Sequence, residues 1–263
     1  MRRISIGDGE LNLEERGSGA PLLLVHGFPL DHTMWRGQIE ALSDQHRVIA
    51  PDLRGFGGSS AGGDVLTMES HADDLARLLD ALGIDKPIVL CGLSMGGYVA
   101  WQFAARHSHR LAKLIQCDTR SAADSAEAAS ARRTLAERVL EEGAGIVADA
   151  MLPKLFAAAT ATEQPALVDD TRRVILSTPP ATIAAALRGM AERPDMTAKL
   201  AEIRVPTLVV CGEHDAITPA DEMRRVAAAI DGAGYVEIAG AGHMAPLEFP
   251  AAWNSALRAF LSG

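Results

Sequence analysis

The sequence predicts an α/β fold: a mostly parallel sheet flanked by helices, with a block of helices inserted late in the chain. Three observations predict it. Short apolar runs alternate with segments of helical periodicity along most of the 263 residues. The runs are continuously apolar rather than alternating, as in strands buried on both faces. The alternation lapses once, between about residues 120 and 195. A chain of this length forms one large domain or two small ones, and residues 1–263 are read as a single domain carrying that insertion.

In chain order, residues 4–16 read as leading strands, arranged as an antiparallel hairpin. Pro21-Leu-Leu-Leu-Val-His26 is the first buried strand, followed by a helix over Thr33–Ser43 and a strand at Arg47–Ala50. Thr67–Leu82 is a helix whose Leu75, Leu78, Leu79 and Leu82 form one apolar face. Pro87–Cys91 and Leu111–Cys117 are strands on either side of a helix over Gly96–His107. The stretch from Arg120 to Asp195 is rich in Ala, Arg and Glu. Its apolar residues recur at helical spacing, as in Leu135, Val139 and Leu140 or Ile183, Ala186, Leu187 and Met190. Three or four helices are expected there, forming a packed subdomain, a lid, or both. Pro206–Cys211 and Tyr235–Ile238 resume the strands, and helices over Asp221–Ile230 and Ala251–Leu261 complete the pattern.

Composition narrows the classes of protein. Hydrophobic residues make up 48% and charged residues 22%, which argues against disorder. The net charge of −9 supplies no electrostatic footprint for nucleic acid. Cys91, Cys117 and Cys211 each lie in an apolar run and are too widely spaced for a disulfide framework or zinc cluster. Neither a signal peptide nor a membrane span is legible, so a cytoplasmic protein without membrane partners is expected.

The main chemical signal is Gly92-Leu93-Ser94-Met95-Gly96-Gly97, between a strand and a helix. A serine on such a turn occupies sparsely populated backbone angles, and small neighbours are needed where strand and helix crowd. A Gly-rich turn with a capping serine is the bland alternative. A phosphate loop is not, because no Gly-Lys-Ser/Thr follows. A serine nucleophile needs a base, and the base needs an orienting acid. His243 lies in Gly240-Ala-Gly-His243 after the last strand, and Asp215 lies in Gly212-Glu-His-Asp215 at another strand end. The order Ser94, Asp215, His243 suits this triad type. Asp118, after the strand Leu111–Cys117, and Glu213 are rival acids.

Catalysis would also need donors aimed at a developing oxyanion. The backbone N–H groups of Phe28, in Val25-His26-Gly27-Phe28-Pro29, and of Met95 are the candidates, with His26 shaping the turn. The loop from Asp52 to Ser60 resembles a dinucleotide loop superficially, but Ser60 occupies its third glycine position. Asp52 and Arg54 are expected to hold that loop together. No H-E-x-x-H or other metal motif occurs, so no metal site is expected.

On His26-Gly27-Phe28-Pro29, Asp52-Leu-Arg54-Gly55-Phe-Gly57, the Ser94 turn, Gly212-Glu-His-Asp215 and Gly242-His243, the chain resembles the α/β-hydrolase superfamily from about residue 20 to its end. The resemblance implies an eight-stranded sheet, a helical cap at about residues 120–195 and no cofactor. It implies Ser94 as nucleophile, His243 as base, Asp215 as acid, and the Phe28 and Met95 amides as oxyanion hole. Within the superfamily the chain looks most like small bacterial carboxylesterases and 3-oxoadipate enol-lactonases. The segment Met151-Leu152-Pro-Lys-Leu155-Phe156 is similar to the lactonase cap. Its Leu155 stands where that family often has a tryptophan, a departure that favours a general esterase. Hydrolysis of small or medium carboxylic esters through an acyl-enzyme on Ser94 is expected, with Met151, Leu152, Leu155 and Phe156 as candidate pocket residues. Lactone hydrolysis, with perhydrolysis as a side activity, is the alternative. Epoxide hydrolases and haloalkane dehalogenases have Asp where this chain has Ser94.

Overall fold

The computed structural model describes residues 1–263. The strands are β1 (Arg2–Ser5), β2 (Glu10–Arg16), β3 (Ala20–Val25), β4 (His46–Pro51), β5 (Ile88–Leu93), β6 (Leu111–Cys117), β7 (Thr207–Gly212) and β8 (Gly234–Ile238). They form one eight-stranded sheet in the order β1-β2-β4-β3-β5-β6-β7-β8. β1 and β2 make the expected hairpin, β2 also runs antiparallel to β4, and every later pairing is parallel. The apolar runs become β3, β5 and β7, the last two buried along their whole length. Chain order reverses where β3 lies between β4 and β5, the point beside whose strand ends open α/β sheets commonly bind their ligands.

The helices outside the insertion lie close to the expected positions. α1 (Arg36–Leu42) follows a 3₁₀ turn at His32–Trp35, and α2 (Met68–Ala81) starts at Thr67, whose side chain accepts from the Ser70 N–H. α3 (Met95–Arg106) follows β5 directly. Trp35, before α1, and Trp253, in the C-terminal helix, are fully buried with ring centroids 5.6 Å apart. Their contact fastens the last helix to the first.

Between β6 and β7 stand five helices rather than three or four: α4 (Ala126–Glu142), α5 (Gly145–Leu155), α6 (Ala158–Glu163), α7 (Pro165–Ser177) and α8 (Pro180–Ala191). The two ends of this insertion are tied together. The Met196 N–H donates to the Ser121 carbonyl at 2.8 Å. The buried Arg193 guanidinium pairs with Asp124 at 2.8 Å and lies 4.3 Å from the centre of the Tyr98 ring. After β7 come α9 (Ala220–Ala228), a short α10 (Ala245–Glu248) that periodicity does not predict, and α11 (Pro250–Ser262). No helix is long and apolar enough to cross a membrane.

Candidate active site

Ser94 joins β5 to α3 at φ 53° and ψ −114°, one of two non-glycine residues with positive φ. Such a conformation costs about 1–3 kcal/mol and persists only where its surroundings impose it. Its own backbone helps to impose it: the Ser94 N–H donates to the Cys117 carbonyl at 3.0 Å, and Thr119 Oγ1 donates to the Ser94 carbonyl at 2.8 Å. The crowding is as the sequence predicts. A Cβ on Gly92 would lie 2.2 Å from the Gly96 carbonyl oxygen, and one on Gly96 would lie 2.3 Å from that of Val25. Both obstacles are backbone.

The loop after β3 passes beside this turn. A Cβ on Gly27 would meet Ser94 Cβ at 3.4 Å. His26 holds the loop with both ring nitrogens. Nε2 accepts from the Leu53 N–H at 3.0 Å, which leaves Nδ1–H to donate to the Gly27 carbonyl at 2.9 Å. Burial lowers the pKa of this histidine, in keeping with a neutral ring. The Phe28–Pro29 peptide is cis. No hydrogen bond from the backbone N–H of Phe28, in the loop beside Ser94, or of Met95, the residue after it, is found to another group of the chain.

Asp215 and His243 meet as expected: His243 Nδ1 lies 2.8 Å from Asp215 Oδ2, and both side chains are buried. Asp215 Oδ1 also accepts the N–H groups of Ile217 at 2.7 Å and Thr218 at 3.0 Å, and its Oδ2 accepts the Thr218 hydroxyl. Burial alone would raise this carboxyl. The His243 charge and these hydrogen bonds outweigh it and hold the carboxyl below its ordinary range. Ser94 Oγ makes no hydrogen bond in this resting geometry, and such links often tighten only around substrate. Of the rival acids, Glu213 is half exposed and its carboxylate accepts the Gly240 N–H at 2.8 Å, so it serves the turn before the histidine loop. Asp118 is buried, and its carboxyl lies within 4.8 Å of the ligating atoms of both Asp215 and His243.

The four expected pocket residues lie on α5 and just beyond its end. Leu152, Leu155 and Phe156 are buried and Met151 is partly so, all packed into the common core. The end of α5 rests on the histidine loop: the Met244 N–H donates to the Leu155 carbonyl at 3.0 Å. Glu248, which sequence reasoning missed, fastens the same joint. One of its oxygens accepts the Gly242 N–H and the other the Ala157 N–H, each at 2.8 Å. A separate recess of about 470 Å³ opens between the loop after β3 and α7, lined in part by Leu30, Met34, Leu167, Val174 and Leu247. None of the four expected residues lines it.

Asp52 and Arg54 hold their loop as expected. Asp52 accepts from the His32 N–H and Nδ1, from Asn12 Nδ2 and from the Gly58 N–H, at 2.6–2.8 Å. Arg54 forks onto Asp74 at 2.7 and 2.9 Å.

Residues 20–250 match the alpha/beta hydrolase fold family. A thermophilic esterase from Thermogutta terrifontis, solved with malate bound, is 51% identical; the match covers 97% of this chain and 93% of that one, with a TM-score of 0.95. The enol-lactonase from Burkholderia xenovorans LB400 is 31% identical, covered in full on both sides, with a TM-score of 0.93. Among curated proteins, 3-oxoadipate enol-lactonase 1 of Acinetobacter baylyi is 28% identical over 87% of this chain and 84% of its own length. With the sheet order, the Ser94 turn and these full-length likenesses in agreement, the chain is a member of the α/β-hydrolase fold family, related to its bacterial carboxylic ester hydrolases and enol-lactonase-like hydrolases.

Proposed function

We propose that the protein hydrolyses small or medium carboxylic esters through an acyl-enzyme on Ser94. The observation that carries this reading is the buried Asp215–His243 hydrogen bond at the same end of the sheet as a serine in a strained turn. His243 takes the proton of Ser94 Oγ as the oxygen attacks the ester carbonyl, then gives it to the departing alcohol. Asp215 stays ionised and keeps the Nδ1–H tautomer, which leaves Nε2 as the base. The free N–H groups of Phe28 and Met95 receive the oxyanion, and losing one such donor typically costs about 3–4 kcal/mol of transition-state stabilisation. Water activated by the same imidazole releases the acid.

The apolar side chains at the end of α5 favour uncharged acyl groups of short or medium length. Lactone hydrolysis is the second reading, favoured by the full-length likeness to the Burkholderia enol-lactonase. It uses the same residues, the ring oxygen serving as leaving group.

The test is hydrolysis of p-nitrophenyl esters across acyl lengths, beside Ser94→Ala. Robust turnover that disappears in Ser94→Ala is the expected result, and the length profile then sizes the pocket. Turnover that survives in Ser94→Ala refutes the nucleophile. A protein inactive on every ester but active on enol-lactones makes the second reading the right one.

A further inference from the structure

Asp118 occupies an unusual position for a carboxyl group. It caps the end of β6 with φ 44°, is fully buried, and sits between the Ser94 turn and the acid loop. Its Oδ1 accepts the Gly212 N–H at 2.7 Å, while its Oδ2 is buried with no donor in reach. The nearest charged group is a second carboxylate: Asp118, Asp215 and His243 offer atoms within 4.8 Å of one another.

Two carboxylates this close and this dry cannot both ionise beside a single imidazole. The hydrogen bonds decide which one keeps its charge. Asp215 receives four donors, from Ile217, from both donors of Thr218 and from His243. Asp118 receives one. A carboxylate at Asp118 would leave Oδ2 a buried acceptor with no donor in a site already holding the Asp215 carboxylate, whereas a proton on Oδ2 turns it into a donor. The other titratable groups facing Asp118 are the thiols of Cys117 on its own strand and Cys211 on β7. Burial pushes both thiols up, so neither adds a charge.

We propose that Asp118 is a positioning residue whose carboxyl stays protonated in the folded protein and donates its Oδ2–H to Asp215, so that one negative charge, held from two sides, faces His243. The proposal rests on the triad reading above. Burial and the Asp215 charge both drive the Asp118 carboxyl well above the ordinary range, in the direction the geometry requires.

The linkage sign follows. At neutral pH the folded chain holds a proton at Asp118 that the unfolded chain has lost, so this residue reduces stability as pH rises from about 4. Asparagine reproduces the neutral form, its amide donating to Asp215 and its oxygen accepting the Gly212 N–H. Asp118→Asn should therefore raise the melting temperature, by an increment that grows from pH 4 to neutrality.

Infrared difference spectra at neutral pH, read on the unmodified protein, Ser94→Ala and Asp118→Asn, supply the direct test. A protonated-carboxyl band is expected in the first two and is missing from the third. Asp118→Ala should lower kcat far more than it changes KM, and Asp118→Asn should recover much of that loss. Loss of a carboxylate band instead, a stability increment that does not vary with pH, or no rescue by asparagine each overturns the proposal. Because the band is read in Ser94→Ala as well, the outcomes separate. Activity surviving in Ser94→Ala refutes the triad, whereas a missing band in a protein whose activity needs Ser94 refutes only the role of Asp118.

Discussion

Asp215, the acid of the proposed triad, shows how much of a buried carboxylate's behaviour is set by the donors around it. Thr218 supplies both an amide and a hydroxyl to it, three residues further along the same loop. Thr218→Val keeps the shape and removes the hydroxyl donor. A hydrogen bond to a charged group contributes about 1.5–3 kcal/mol, so the variant should lose stability of that order and turn over more slowly. With that donor gone, the Asp215 carboxyl moves up towards its ordinary range. A depressed carboxyl stabilises the fold above its unfolded pKa and loses that contribution as pH falls through the folded value, so the variant should begin to lose it at higher pH. Urea unfolding of both proteins down the acid range checks this; parallel curves would contradict it. Ser94, Asp215 and His243 are legible in the sequence because each follows a strand pattern among small residues, a local signal. Thr218 carries a weaker one, since an acid followed at i+3 by a hydroxyl before Pro219 is the signature of a capped turn. Glu248 carries none. It reads as a stray acid in Met-Ala-Pro-Leu-Glu-Phe-Pro, and its partners are set only by tertiary structure.

At the scale of elements, the joint between α5, α6 and the histidine loop is where the insertion meets the candidate site. Glu248 satisfies the N–H of Gly242, next to His243, and the N–H of Ala157, which opens α6. Glu248→Gln turns one acceptor into an NH₂ facing a buried N–H, and an unsatisfied buried donor costs about 1–3 kcal/mol. The imidazole and the cap joint should loosen together. The expected result is a fall in kcat with a lower melting temperature, and hydrogen exchange should report faster opening both at residues 156–158 and at 241–244. Faster exchange in only one of the two segments would show that they are not coupled. The helix count in the insertion fails to follow from sequence for a related reason. Pro165 and Pro180 stand at helix starts and mark α7 and α8 plainly. The break between α5 and α6 carries no glycine or proline. Phe156 takes extended angles there because its side chain is buried and Met244 and Glu248 hold the backbone on either side. Pro153, which reads as a helix breaker, sits inside α5.

At the scale of the molecule, the insertion is fastened to two of the loops that leave the sheet. Thr178 Oγ1 donates to the Pro29 carbonyl at 3.1 Å beside the Phe28 turn, and Thr182 Oγ1 donates to the Gly55 carbonyl at 2.9 Å. The loop carrying Gly55 is itself held by Asp52, so part of the pH dependence of stability should come from this buried carboxylate. Burial would raise Asp52, but the hydrogen bonds from His32, Asn12 and Gly58 bring it down to about 2. Relative to an ordinary carboxyl near 3.8, that depression corresponds to about 2 kcal/mol of folding stability. The contribution is complete above about pH 4 and disappears as pH falls towards 2. His32 adds a second flank. Burial opposes its charge, but Asp52 at 2.6 Å wins and raises its pKa, so its contribution is complete below about pH 6.5 and is lost as pH rises beyond. Asp52→Asn removes the charge that both flanks depend on. The variant should be about 2 kcal/mol less stable than the unmodified protein between pH 4 and neutrality, and this difference should shrink as pH falls from 4 to 2 and again as it rises above neutrality. Urea unfolding at a series of pH values measures this. Equal pH dependence in the two proteins would show that the Asp52–His32 pair, however well placed, does not govern the stability of the fold.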